Sequence, residues 1–256
     1  MLYPKEIMMR IKSIFDFLNE KFPVETACDF DNVGLLIGNK NRSVTKVLVA
    51  LDCTNAVVNE AIKMGAQLII THHPVIFEPI KSIDADGKIG RLLENKISVI
   101  SMHTNFDQGE NGVNDVLCKK IGLQNVERYT AQDGYILNVG KVDNLTADEF
   151  AGILKTALNT TVRFTDSKKR INRVMVCSGA GGGFLGDAEI FGADALVAAD
   201  IKHSVFLEAD EKGICLFDAG HFETEDIAIE PLKEMLQNEF KNIQFYTNHY
   251  YPVKKI

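Results

Sequence analysis

The chain has 256 residues, of which 46% are hydrophobic and 25% charged, a composition typical of a soluble globular protein with a sizeable core. Its formal net charge of −7 argues against a broad electrostatic attraction to nucleic acid. Because no apolar stretch reaches the roughly 20 residues that span a bilayer, we expect no membrane partner.

The five cysteines are scattered along the chain, and no two of them form a CxxC pair. An odd, dispersed set argues against a disulfide framework. The N-terminal residues also lack the pattern of a secretory signal peptide. These features predict a cytoplasmic protein, since the cytoplasm keeps thiols reduced.

The first half of the chain alternates predicted strands and helices. The predicted elements are a helix over 8–22, a short strand before Gly38, a strand over 46–52, a helix over 54–64, a strand leading to His72, a helix near 89–94, a strand leading to His103 and a helix over 111–121. Thr54 suits a helix N-cap, and Gly65 suits the end of that helix. The alternation predicts a largely parallel sheet with helices on both faces.

The second half starts its own pattern near residue 125. We predict strands over 135–142, 161–164, 173–177, 195–199, 214–217 and 244–247, and helices over 146–158, up to 191 and over 225–240. The chain therefore reads as two α/β domains. We place residues 1–125 with 218–256 in a first α/β domain and residues 126–217 in a second α/β domain.

Two adjacent histidines, His72 and His73, end a short apolar run and precede Pro74. A second apolar run ends in the same way at His103 and leads into Asp107. Ligands of open α/β sheets bind beyond the carboxyl ends of strands, and imidazole is the commonest neutral metal ligand. The alternative is a satisfied core histidine beside a chance neighbour. Repetition of the pattern at two strand ends favours metal binding.

A third polar cluster follows a predicted strand near the C-terminus. His221 and Glu225 are four residues apart and would share one face of a helix, whereas Glu223 suits the positive start of that helix. Such a pair is weak evidence alone, because it recurs by chance. The strand-end groups together form one candidate ligand set, with His103 close by: His72, His73, Asp107, His221 and Glu225.

Mixed nitrogen and oxygen ligands of this kind suit zinc, manganese, iron or nickel better than calcium. Five ligands are few for two isolated divalent ions. They suffice if one carboxylate bridges ions that lie roughly 3.5–4 Å apart, as in two-metal hydrolytic sites.

The glycine-rich segment Gly179–Gly183 follows a strand and precedes a helix, as phosphate-binding loops do. It lacks the lysine of a Walker motif, and a sharp turn with close backbone packing is the alternative. His203 is a further candidate for lining a cleft, or else a histidine at a helix start. The basic run Lys168–Arg170 is interpreted as a solvated turn.

In combination, these motifs resemble the GTP cyclohydrolase 1 type 2 homologue family, the Nif-three-like dinuclear metal proteins. The matching segments are residues 31–35, 71–77, 103–107, 178–183, 200–203 and 220–225. The resemblance implies two intertwined α/β domains with mixed, mainly parallel sheets covered by helices. It also implies that the five candidate residues hold two metal ions, that Glu225 bridges them, and that the chain forms a ring-like homohexamer.

The chain departs from the family pattern at two places. Phe30 stands where the family usually has tryptophan, and Ala198-Ala199 replaces a usual Thr-Gly pair. Neither position is a metal ligand, so these departures concern the substrate pocket.

The resemblance favours a metal-dependent hydrolase that acts on a nucleotide-like or phosphorylated small molecule through a metal-activated water. His103 and Glu225 are the candidate proton carriers. The alternative is a metal-binding regulatory or interaction protein without turnover, or a metal handler. A phosphodiesterase of the Asp-His-His type would share two-metal chemistry, but its Asp-rich motifs are missing from this chain.

Overall fold

Strands and helices alternate through most of residues 9–254, which the computed structural model describes. Helices α1 to α10 span Ile11–Lys21, Asn55–Met64, Lys88–Glu94, Thr104–Asp107, Val113–Lys120, Ala147–Leu158, Leu185–Phe191, His203–Lys212, His221–Glu225 and Ile229–Glu239. Strands β1 to β11 span Gly34–Ile37, Lys46–Ala50, Leu68–Thr71, Ser98–Ser101, Gln124–Thr130, Ile136–Leu145, Arg163–Phe164, Ile171–Val176, Ala195–Ala198, Cys215–Asp218 and Gln244–Asn248. Met8, with which the first predicted helix begins, lies outside the described residues.

The chain divides into two units, the first formed by Met1–Phe106 with Ile229–Ile256 and the second by Asp107–Ala228. The predicted boundaries lay near residues 125 and 218. The difference has a physical reason: Leu117 and Cys118 on α5 are buried in the same apolar cluster as Phe150 and Phe217 of the second unit. Packing therefore assigns α5 to the second unit, ahead of the predicted boundary.

The sheet of the first unit has the strand order β1-β4-β3-β2-β11. Strands β4, β3, β2 and β11 are parallel, and β1 is an antiparallel edge strand. Thr71 at the end of β3 pairs with Ser101 at the end of β4 and with Ala50 at the end of β2. The loops that follow these three strands therefore leave the sheet at the same edge, which is where the sequence places His72 and His103.

The sheet of the second unit has the strand order β5-β6-β8-β9-β10-β7. Its central strands β8, β9 and β10 are parallel, whereas β5, β6 and β7 pair antiparallel. The predicted mixed α/β fold is thus confirmed, with parallel pairing dominant in the first sheet. The carboxyl ends of β8, β9 and β10 lead directly into the loops that carry Ser178, Asp200 and His221.

The sequence patterns did not predict β5, α8 or the four-residue helix α4, because their side chains show no useful periodicity. Strand β5 is exposed along nearly all of its length. Helix α8 buries only Ala209 among its ten residues. The predicted helix over 225–240 is in fact interrupted between α9 and α10, because Pro231 could not lie in the interior of a continuous helix but is tolerated in the first turn of α10.

Local capping signals set several helix ends as predicted. The Thr54 hydroxyl accepts a hydrogen bond from the Val57 amide at 3.2 Å, and Gly65 ends α2 in the left-handed conformation. Helix α6 starts with a capping box formed by Thr146 and Glu149. Among the described helices, none combines the length and apolar character that crossing a membrane requires.

Candidate functional site

Three histidines cluster beyond the carboxyl ends of β3 and β4 in the first unit. The ring centroids of His72 and His73 are 5.0 Å apart, and His103 lies 5.1 Å from His72 and 5.5 Å from His73. One potential ligand atom of each ring lies within 4.8 Å of the others. The first unit therefore brings together the three histidines that the strand-end pattern singled out.

Acceptors on neighbouring elements fix the orientation of the two adjacent rings. The Nδ1 atom of His72 lies 2.9 Å from the carbonyl oxygen of Met102, and that of His73 lies 2.8 Å from Asp52 Oδ1. Since a carbonyl or carboxylate oxygen only accepts, each Nδ1 carries the proton and donates it. The lone pair of each neutral ring is then on Nε2, and metal-binding histidines are commonly oriented by such a contact.

His103 has the same kind of partner in Asp31. Its Nδ1 lies 3.0 Å from Asp31 Oδ1, and the other carboxylate oxygen accepts from the Thr104 amide at 3.0 Å and hydroxyl at 2.6 Å. Burial alone would raise the pKa of Asp31, but the hydrogen bonds from His103 and Thr104 outweigh it and lower the pKa to about 2. Asp31 is therefore an ionised anchor for the His103 ring.

Replacing Asp31 by asparagine is expected to lower the free energy of unfolding by about 2 kcal/mol near neutral pH. A depressed pKa stabilises the folded state above the ordinary value of 3.8, and this contribution is lost as the pH falls through about 2. The difference between wild type and Asp31→Asn should thus shrink over that range. Urea unfolding at several pH values measures it.

The matched control for this pH series is Asp29→Asn, which removes an exposed carboxylate from the same loop. It should unfold like wild type throughout the series. A stability difference between wild type and Asp31→Asn that stays constant as the pH falls would contradict the proposed role of the ionised carboxylate.

The second unit holds a histidine between two carboxylates. His221 Nδ1 lies 2.7 Å from Asp200 Oδ2, and its Nε2 lies 3.0 Å from Glu225 Oε2. His221 and Glu225 are the first and last residues of α9, as their spacing predicted, and Glu223 lies in the first turn of the same helix. Glu225 is buried, with 3% of its surface exposed.

Asp107 is the other predicted carboxylate ligand and also belongs to the second unit. It is 5% exposed, and its Oδ1 accepts a hydrogen bond from the Ser178 hydroxyl at 3.0 Å. The amide of Ser178 in turn donates to Asn114 Oδ1 at 2.8 Å. A buried network of side chains therefore orients this carboxylate.

Sequence analysis missed Asp52, Ser178 and Thr224, which contact or adjoin the candidate ligands. One signal was available, because Asp52 follows β2 by two residues as His73 follows β3, and Ser178 follows β8 by the same number. Thr224 lies within α9 and carries no such signal.

Two other candidates stand apart from these clusters. His203 is exposed as the first residue of α8, which matches the reading of a histidine at a helix start. In the basic run, Lys168 pairs with Asp166 at 2.6 Å and Arg170 pairs with Glu149 at 3.2 Å. These exposed ion pairs agree with a solvated turn.

The donor chemistry of both units fits a divalent metal. Imidazole nitrogens and carboxylate oxygens are the ligands that zinc, manganese, iron and nickel accept. The Nδ1 atom of His221 is hydrogen-bonded to Asp200, and its Nε2 lies 3.0 Å from the buried Oε2 atom of Glu225. A divalent cation would accept both Nε2 and Oε2 as ligands.

Known proteins that match the chain do so over nearly its whole length. A protein of Clostridium perfringens named GTP cyclohydrolase 1 type 2 homolog is 32% identical over 250 residues, covering 92% of this chain and 95% of the relative. A protein of the same name from Clostridium acetobutylicum is 30% identical, covering 90% of each chain.

Solved structures agree with this relationship. The crystal structure of a Staphylococcus aureus hypothetical protein superposes with a TM-score of 0.89 at 34% identity and covers 97% of this chain and 99% of that chain. Reduced HcgD from Methanocaldococcus jannaschii superposes with a TM-score of 0.83 at 29% identity, with coverage of 93% and 97%. A profile of the Duf34/NIF3 (NGG1p interacting factor 3) family matches residues 9–252. The chain therefore belongs to the Duf34/NIF3 family.

Proposed function

We propose that this chain is a metal-dependent hydrolase that acts on a nucleotide-like or phosphorylated small molecule. One observation carries the proposal: the four histidines of the two clusters, His72, His73, His103 and His221, have Nδ1 at hydrogen-bond distance from an oxygen acceptor. Such partners fix ring orientation and raise ligand basicity in metal sites. The names of the clostridial relatives add the suggestion of a nucleotide substrate.

The proposed roles follow from the chemistry of each side chain. Two divalent ions would be held by the predicted ligand set, His72, His73, Asp107, His221 and Glu225. When bound, such a pair would lower the pKa of a water ligand and polarise the substrate.

His103 is the proposed proton carrier, with Glu225 as the second candidate. Asp31 stays ionised behind Nδ1 of His103, and a carboxylate in that position stabilises the ring when Nε2 accepts a proton. The same contact holds the ring in one orientation during the transfer.

Metal content tests the first part of the proposal. Protein stripped with chelator and reloaded with zinc or manganese should bind two ions per chain, measured by elemental analysis after gel filtration. His73→Ala should bind fewer ions, because it removes one of the five proposed ligands. His249→Ala, which removes an exposed histidine near the C-terminus, is the matched control and should bind as wild type does.

Turnover tests the second part in the same preparations, with GTP and a generic phosphodiester as substrates. Wild type and His249→Ala should hydrolyse at least one of them, whereas His73→Ala should lose turnover and keep its fold. His103→Gln should keep its metal and lose turnover. Full metal occupancy without hydrolysis of any nucleotide tried would overturn the hydrolase and favour the metal-binding regulatory role.

We further propose a homohexamer located in the cytoplasm. The family resemblance supports the hexamer, which sedimentation velocity can test. The scattered cysteines without a CxxC pair support the location. Burial raises the pKa of the Cys53 thiol to about 11 and that of Cys118 to about 12, as expected for thiols kept in the core.

A further inference from the structure

Ser178 and the first residues of the glycine-rich segment Gly179–Gly183 use their amide groups for hydrogen bonds within the second unit. The Ser178 amide donates to Asn114 Oδ1 at 2.8 Å, and the Gly179 amide donates to Thr224 Oγ1 at 3.1 Å. The Gly181 amide donates to the Gly179 carbonyl at 2.9 Å. A phosphate-binding loop needs such amides for its ligand. Here these three already serve contacts within the protein.

We propose that Ser178 and Gly179 are positioning residues that orient the carboxylates of Asp107 and Glu225 for metal binding. The inference rests on the proposed metal-binding function. It assigns the glycine-rich segment a role other than holding phosphate.

Ser178 acts on Asp107 through its hydroxyl. Both side chains are 5% exposed, and Ser178 Oγ donates to Asp107 Oδ1 at 3.0 Å. The serine is itself held, because its amide is bonded to Asn114, a side chain with 1% exposure. The Asn114 amide must present its oxygen to that donor, so its orientation is set. A carboxylate held at one oxygen by a fixed hydroxyl has little rotational freedom, which favours metal binding.

Because Gly179 has no side chain, the Glu225 carboxylate can occupy the space beside its backbone. Its φ is +60°, and a Cβ atom built there would lie 2.1 Å from Glu225 Oε1 and 3.1 Å from His221 Nε2. The carboxylate therefore packs directly against the backbone at Gly179. This close approach is open to glycine alone.

Thr224 ties this loop to the helix that carries both ligands. Its hydroxyl accepts from the Gly179 amide and donates to the His221 carbonyl oxygen at 2.9 Å, and its side chain is fully buried. The hydrogen bonds of Thr224, the residue before Glu225, therefore connect the loop to helix α9. The adjacent residues Ser178 and Gly179 therefore contact the two proposed carboxylate ligands, Asp107 and Glu225.

Metal affinity of the folded protein tests the inference without reliance on turnover. Ser178→Ala removes the hydroxyl, and its dissociation constant for zinc or manganese, measured by competition with a chromogenic chelator, should rise about 10- to 100-fold, the usual effect of losing such a partner. Ser204→Ala removes an exposed hydroxyl on α8 and should bind metal as wild type does. Measurements are made where each metal-free variant is fully folded, so that a purely structural role leaves the affinity unchanged.

Ser178→Cys keeps most of the side-chain volume but replaces the hydroxyl with a weaker hydrogen-bond donor. If Ser178→Ala fails to fold, the metal affinity of Ser178→Cys is measured in the same way. Equal affinity in wild type and the folded Ser178 variant overturns the inference and leaves the proposed function intact. Absence of metal binding in wild type overturns both. A selective loss of affinity in the Ser178 variant supports the positioning role.

Discussion

Replacing Gly179 by alanine should weaken metal binding about a hundredfold and lower the free energy of unfolding by about 1–2 kcal/mol. The stability loss follows from the left-handed backbone at this position, with φ at +60°. The affinity loss follows from the new Cβ, which would lie 2.1 Å from Glu225 Oε1 and must displace that carboxylate. Since Glu225 is buried, it has little room to move without leaving His221.

The same loop supplies the matched control for this substitution. Gly183 has no positive φ, and a Cβ atom built there meets no atom within 4 Å. Gly183→Ala should therefore keep both stability and metal affinity. Chelator competition and urea unfolding of the two variants give the comparison. Wild-type metal affinity in Gly179→Ala would show that the glycine serves the backbone alone.

Replacing Phe106 by alanine is expected to have the largest effect on stability, a loss of about 3–5 kcal/mol for the first unit. Phe106 is 1% exposed, and its ring centroid lies 4.7 Å from that of Phe22 in an edge-to-face contact. It also lies 6.0 Å from the centroid of His72. The cavity left by the ring would thus remove core contacts and one wall of the histidine cluster.

Urea unfolding followed by circular dichroism measures this loss. Phe106→Leu refills much of the space and should cost less than about 2 kcal/mol. Phe30→Ala removes a ring that is 67% exposed and should change stability by less than about 0.5 kcal/mol. If Phe106→Ala behaved like Phe30→Ala, the ring would have no supporting role beneath His72.

The hydrogen bonds that orient the candidate ligands also explain why short motifs at strand ends predict those ligands in this fold. In each unit, parallel strands end at one edge and release polar residues there, such as Asp52 beside His73 and Asp200 beside His221. The candidate ligands of this chain and the groups that orient them are thereby concentrated in short segments that follow strands.

The sequence alone determined those features that depend on neighbours along the chain. Apolar runs predicted the strands before His72 and His103, and the four-residue spacing predicted the shared helix of His221 and Glu225. Capping residues such as Thr54 marked helix ends. Each of these signals is local, because strand burial, helical periodicity and capping involve residues a few positions apart.

Contacts between residues that are distant in sequence depend on the complete fold. Asp31 reaches His103 across 72 positions, and Ser178 reaches Asp107 across 71. Packing moved α5 into the second unit, where its apolar side chains join a core that no local pattern identifies. It also gave the glycine-rich loop its contacts with buried side chains. Such pairings follow from strand register and core packing, which depend on the whole fold and leave no periodic trace in sequence.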